Sequence, residues 1–444
     1  MYKIIVRRSL CQRNVSQSSF ACGWIIRLLR RMWPGLAPLM LLVTMVGSAI
    51  GEDAKKDKEL QEPICVLDQS GKKIDELACE RVRLDVSTEE EAFKPDIRLD
   101  FSTARTSDGT IYAQSFPGFL FSSKDGGRTW DRDLLRDLGV SGGRTHPILK
   151  WRWVRGFGAK DNVLLAQIEE TYIDADARGD PNNFQKVSIS RSTDGGQNWE
   201  QPVKLDARPF PTSFTDGGTS TVLPDGTIVT AVGAMYFAGW QEHGFKLPPG
   251  MRGMNVLVFA SQDDGKTWER RSFLCEHAAE TQLLAKKDGS LLAVIRRQRY
   301  MHPEEDSAGI NFDKVGRTGK VLYKVLFLAD SYDGGYTWVN LRQFTDVVGD
   351  CHGEAVELSD GRIVLIWNSR YGQPSIVAKV SKDGGSTWSD ESYRLCEGQG
   401  YPGSVVLEDD IIVTVTGDKK GPTTGQAIRW KLPKLVSASP SGQN

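Results

Sequence analysis

The sequence lacks what a metal centre would need. Its 444 residues contain no Cys-x-x-Cys pair and five scattered histidines, and no His/Cys group has ligand spacing, so no metal site is expected. The adjacent Cys351-His352 reads as structural, and no cofactor motif is present, so none is expected. Neither sign of charge is in excess: 56 Lys+Arg face 57 Asp+Glu, which excludes a general nucleic-acid binder. The apolar run Leu36–Ile50 is short of the roughly 20 residues that a membrane helix requires. With 39% apolar and 25% charged residues, the chain is neither disordered nor fibrous.

Acidic residues are missing from positions 1–51, which carry seven basic ones and end in Gly47, Ser48, Ala49 and Gly51. This is the pattern of a signal peptide with a long basic start, or one beginning at Met32, and it predicts export; the rival is an uncleaved anchor. Without that leader, 49 basic groups would face 57 acidic ones, a net charge of −8 with no stable membrane span. An anion would then have to be held by locally placed arginines. Residues 52–94 read as a charged linker and small N-terminal segment, which a Cys65–Cys79 bridge could strap, and 433–444 read as a tail.

What the sequence has is glycine (45), tryptophan (12) and a repeat. Ser-x-Asp-x-Gly-x-x-Trp occurs at Ser123–Trp130, Ser192–Trp199, Ser261–Trp268, Ser331–Trp338 and Ser381–Trp388, with aspartates spaced by 69, 69, 70 and 50 residues. Asp and Ser accept turn amides, Gly supplies positive φ, and Trp fills a seam between sheets. These aspartates are read as turn-holders without chemistry. A second turn recurs at Asp108, Asp161, Asp225, Asp288, Asp360 and Asp409, each followed by a β-rich run. Strand–turn–strand and then strand–repeat–strand gives four antiparallel strands per unit. The expectation is an all-β six-bladed propeller over residues 95–432, its sixth blade closed by the chain's first strand.

In that topology both turn classes lie at one end, and the opposite mouth collects first-strand starts and second-strand ends. Those positions hold Arg98, Arg144/His146, Asp216/Thr219, Glu280, Glu354 and Tyr401, and Gln114, Glu169/Glu170, Val232, Arg296, Arg370 and Thr416. Charge at a narrow, desolvated axis points to a ligand site.

Residues 95–430 resemble the sialidase (neuraminidase) superfamily of the bacterial Asp-box or BNR-repeat type. The resemblance rests on the five repeats and, more specifically, on Glu280-x-x-Leu-Leu with Asp288-Gly289-x-Leu291 and Arg296, on Trp367-Asn368-Ser369-Arg370, and on Tyr401-Pro402-Gly403-Ser404-Val405-Val406-Leu407. It implies an exported, retaining exo-α-sialidase-like glycoside hydrolase acting on sialylated or related acidic glycans, with Tyr401 as nucleophile, Glu280 as its base, and Arg98, Arg296 and Arg370 on the substrate carboxylate. A tyrosine avoids the repulsion that a carboxylate nucleophile would meet, and guanidinium forks bind carboxylates bidentately.

The chain departs from the family in two places. The first-arginine motif reads Arg98-Leu99-Asp100 where the family has Arg-Ile-Pro, and Arg144 competes for that role. The stretch AQSFPGFLFS (113–122) has no carboxylate where the family carries its acid/base aspartate, leaving Asp174, Asp176 or Asp216 as substitutes. Alternative readings are a different acidic sugar as substrate, or a non-catalytic glycan- or protein-binding propeller. Tyr401 would then be a packing residue, and Arg296 and Arg370 structural partners of Glu280 and Glu354. Trp151, Trp153 and Trp240 would stack on sugars or fill seams.

Overall fold

The computed structural model describes residues 62–434 apart from 86–99, 116–118, 135–148, 173–185, 211, 216–217, 237–252, 301–321, 347–348, 371–372, 399 and 419–420. The leader, the tail beyond 434, and Arg98, Arg144, His146, Asp174, Asp176, Asp216 and Trp240 lie outside the described residues. Trp151 and Trp153 fall on a described strand, but their side chains are not described.

Six antiparallel sheets form a six-bladed β-propeller. Blade one is Phe101–Arg105, Ile111–Ser115, Phe119–Ser123 and Asp131–Leu134; blade two is Leu149–Lys160, Val163–Tyr172, Lys186–Ser192 and Val203–Lys204. Blade three has a divided inner strand, Thr212–Phe214 and Thr221–Val222, then Ile228–Tyr236, Gly253–Ser261 and Glu269–Glu276. Blade four is Ala278–Ala285, Leu291–Tyr300, Leu322–Ser331 and Val339–Gln343. Blade five is Cys351–Glu357, Ile363–Ser369, Ser375–Ser381 and Ser392–Glu397; blade six is Gly403–Val406, Ile412–Asp418 and Gly421–Trp430.

The fourth strand of blade six is Cys79–Asp85, which pairs with Thr424–Trp430 and closes the ring. The closing strand therefore comes from the segment before residue 95 that reads as linker in the sequence. The hairpin Ile64–Leu67 and Lys73–Leu77 extends blade five to six strands through the pairing of Cys65 with Arg394. The Cys65–Cys79 bridge that the sequence allows is not formed, and both thiols are free. Cys65 lies opposite Glu76 and Arg394 in blade five, whereas Cys79 lies opposite Trp430 in blade six. The two cysteines belong to different sheets.

The repeated octapeptides fold as hairpin turns between third and fourth strands. In the second, Ser192 Oγ donates to Asp194 at 2.8 Å and accepts from the Gly196 amide at 2.9 Å, and Asp194 accepts the Asn198 amide at 2.9 Å. Gly196 has φ of 90°, and a Cβ there would come within 2.7 Å of a Leu120 methyl in blade one, so any other residue would be strained and would displace Leu120. Trp199, which ends that turn, packs into the seam between blades one and two with Ala104, Tyr112, Leu120 and Phe157.

Each seam is also pinned near the axis by a hydrogen bond among the described residues. Gln114 donates to the Val154 carbonyl (3.0 Å), and Glu169 accepts from the Thr215 amide (2.9 Å). Thr221 Oγ1 accepts from the Ala285 amide (3.0 Å), and Gln282 from the Ala355 amide (3.1 Å). Glu354 accepts from the Ser404 amide (2.6 Å), and the Phe101 amide donates to the Tyr401 carbonyl (3.1 Å). These bonds, most of them buried, fix how far each inner strand stands from the next. The inner strands thereby form one stiff wall around the mouth.

Candidate active site

The mouth is built by blades four, five and six. Glu280 sits on the inner strand of blade four at a bulge: Ala279 pairs with Arg296 and Gln282 with Val294, so two residues face one across the ladder. Its backbone takes φ of 41°, unusual for a residue with a side chain. The bulge turns its carboxylate toward the axis. Arg296, on the next strand, forms a buried ion pair with it.

Tyr401 lies two residues before the inner strand of blade six, with Pro402 between. Its backbone bridges Asp100, which ties blade six to blade one, and its side chain is 7% exposed. The phenol donates to Glu280 Oε1 and accepts from Arg296 Nη1 at 3.2 Å. Three residues from two blades thus meet at one oxygen.

Arg370 follows the second strand of blade five. Its Nε donates to Asn368 Oδ1 at 2.9 Å, which orients the guanidinium, and its carbon lies 5.6 Å from the centre of the Tyr401 ring. A buried Nη2 of Arg370 has no protein partner. A guanidinium held by one edge, with another nitrogen free, is suited to an anionic ligand.

The electrostatics set the resting protonation. Burial pushes Glu280 up, but Arg296 foremost, with donation from the Tyr401 hydroxyl and the charge of Arg370, outweighs it and holds the carboxyl below its ordinary value. Burial, followed by the Glu280 charge, pushes the Tyr401 phenol well above its ordinary value. At neutral pH the pair is therefore carboxylate and phenol, with the proton on oxygen of Tyr401. This is a poised base beside an unionised nucleophile.

Glu280, Arg296, Arg370 and Tyr401 are brought together; Arg98, Arg144 and the three acid/base candidates fall outside the described residues. Glu354, grouped with them in the sequence, is placed otherwise. It is a buried clamp on the Ser404 amide, with its carboxyl raised well above the ordinary value by burial, whereas Arg370 donates to Asn368 instead. Glu169 is likewise a clamp on Thr215.

Sequence reasoning missed three neighbours: Asn368, which orients Arg370; Lys324, whose ammonium burial and then Arg296 push down; and His352, which stacks on Tyr401. The Cys351-His352 pair was the visible signal, but its position on the axis depends on a bulge. Gly353 beside it lets blade five approach blade four, since a Cβ there would lie 2.7 Å from Val294.

A model of the BNR repeat-like domain matches residues 175–413, more than half of the chain. The chain belongs to the sialidase-like BNR superfamily. A sialidase of Bacteroides fragilis is 22% identical over 269 residues, covering 57% of this BNR chain and 43% of the relative. The chain therefore spans less than half of that relative's length. Among solved structures, a Hadza microbial sialidase superposes with a TM-score of 0.58 at 17% identity, covering 80% of this chain and 70% of the other. A Dyadobacter fermentans protein of unknown function gives 0.56 at 16%, covering 80% and 99%. Trypanosoma rangeli sialidase bound to 2,3-difluoro-KDN gives 0.53 at 13%, covering 79% and 58%. At these identities the superpositions establish the fold of this BNR protein.

Proposed function

We propose that this BNR propeller is an exported, retaining exo-α-sialidase-like glycoside hydrolase that removes terminal sialic acid or a related acidic sugar from glycoconjugates. The observation that carries the reading is the shared contact of Tyr401, Glu280 and Arg296 beside Arg370. Arg296 and Arg370, with Arg98 or Arg144, bind the substrate carboxylate. Glu280 takes the phenolic proton as the Tyr401 oxygen forms its bond to the anomeric carbon and the glycosidic C–O bond breaks; the leaving oxygen takes a proton from an acid/base group. Water then attacks the glycosyl–tyrosine bond, the acid/base group accepts its proton, and Glu280 returns the phenolic one. Asp174, Asp176 and Asp216 are the candidates for that acid/base group. Residues 1–51 support export.

The lack of a carboxylate in residues 113–122 favours a second reading, in which the same mouth serves another acidic sugar or binds a glycan without cleaving it. Hydrolysis of an aryl sialoside by the wild-type protein and by Tyr401→Phe decides. We expect turnover by the wild type and at least about a thousandfold loss in Tyr401→Phe. A folded wild-type protein inactive on every sialoside sinks the sialidase reading, and an undiminished Tyr401→Phe sinks the nucleophile.

A further inference from the structure

Blades four and five use the same backbone device at the same height. In blade five Cys351 pairs with Asn368 and Gly353 with Trp367, leaving His352 as the extra residue with φ of 32°. In blade four the bulged residue is Glu280, with φ of 41°. A side chain in this backbone region is strained, and it persists where its surroundings enforce it. For Glu280 the result is contact with the Tyr401 hydroxyl. For His352 the result is contact with the Tyr401 ring: the centroids are 4.4 Å apart and the planes differ by 6°.

His352 is 1% exposed, and its Nδ1 is buried with no hydrogen-bond partner. An unpaired polar nitrogen in a core is unfavourable, so an apolar side chain would pack this site more stably. The imidazole is therefore poorly explained by stability. Its distinctive property is flatness against the phenol.

We propose that His352 is a positioning residue for Tyr401, a plate against the phenol that sets the angle at which the hydroxyl meets Glu280 and Arg296. The kinetic consequence rests on the proposed role of Tyr401 as nucleophile; the placement does not. The groups facing this pair are Glu280 and Arg296 from blade four, Arg370 from blade five, and Asp100 at the start of blade one, with Lys324 of blade four beside Arg296 and Glu280. Burial, opposed by Glu280 and aided by Arg296 and Arg370, depresses the imidazole to about 4, so the plate is uncharged at neutral pH. Protonation in acid would add a cation beside Arg296 and Arg370.

The test uses the full chain with ring-labelled tyrosine, with the Tyr401 signal assigned by its loss in Tyr401→Phe. His352→Phe keeps a flat ring, and His352→Asn keeps a residue that tolerates this backbone but removes the ring. Stacking should shift the Tyr401 ring signals upfield in the wild type and in His352→Phe, and that shift should vanish in His352→Asn. On an aryl sialoside, His352→Asn should lose about tenfold or more in kcat with KM changed by less than about threefold, as expected when a reacting group is misaligned. His352→Phe should restore most of kcat and move the acid limb of kcat/KM to lower pH. An unchanged Tyr401 signal in His352→Asn, or an unchanged kcat, overturns the proposal. A wild type inactive on sialosides refutes the functional reading instead, and the ring shift then decides this one alone.

Discussion

The hydroxyl of Tyr401 donates to the carboxylate of Glu280, a residue 121 positions earlier in the chain and two blades away. Neither reaches the other by local structure. The bulge at Glu280 and the tie of Tyr401 to Asp100 and Phe101 bring them together.

Glu280→Gln tests that relationship from the base side. The amide keeps the shape but removes the negative charge, leaving Arg296 in a buried site without its counter-ion. Breaking a buried pair from one side costs about 3–5 kcal/mol. We expect a lower melting temperature by calorimetry, and at least a hundredfold or so lower kcat on an aryl sialoside. A variant with full stability and activity would show that Glu280 is neither the partner of Arg296 nor a base.

Asp350 gives a prediction on pH. Burial raises its carboxyl to about 6, against donation from Ser369, Trp367 and Thr345, whereas in the unfolded chain it titrates near 3.8. Between those values the folded state binds more protons, so this group makes stability fall as pH rises from about 4 to 6, and the loss persists above. Asp350→Asn should therefore be more stable than wild type at pH 7 by roughly 3 kcal/mol, with the difference gone below about pH 4. His352 has the opposite slope in the same window, because its folded value is depressed to about 4. Denaturant melts of Asp350→Asn and His352→Phe across that range should diverge in opposite directions from wild type.

The ring closure is tested at Leu84, which lies in the closing strand and packs with Phe101, Phe121, Val413 and Val415. Leu84→Asp buries an unpaired carboxylate and should cost more than about 3 kcal/mol, read as a lost or broadened unfolding transition. Ile74→Asp, in the outer hairpin where the side chain is 51% exposed, should melt like wild type. Equal effects would mean that the closing strand contributes nothing special.

The ring was legible because its signal is repeated: five octapeptides at near-constant spacing specify turns by local chemistry, and the turn chemistry implies antiparallel blades. The segment 64–85 was opaque because its strands carry no octapeptide, and its turn Gln69-Ser70-Gly71-Lys72 suited a disulfide loop as well as a hairpin. At the mouth, Arg296, Arg370, Glu280 and Tyr401 could be named from topology, since first-strand and second-strand positions follow from turn positions. Glu354 and Glu169 occupy the same class of position, yet they face the next inner strand and clamp it. His352 was hidden for a different reason. Which residue bulges is decided by pairing with a neighbouring strand, and a single chain read in order does not carry that register.

The closing strand also sets a schedule for biosynthesis. Glu80 meets Arg429, a partner 349 residues further along. At about 5–20 residues per second, the ribosome needs about 20–70 s to supply that partner, and for all of that time the nascent chain carries an unpaired strand edge with nothing to zip against. A strand among the earliest to leave the ribosome is the last to find its place, so the waiting interval, more than the finished ring, is when this protein needs protection from its neighbours.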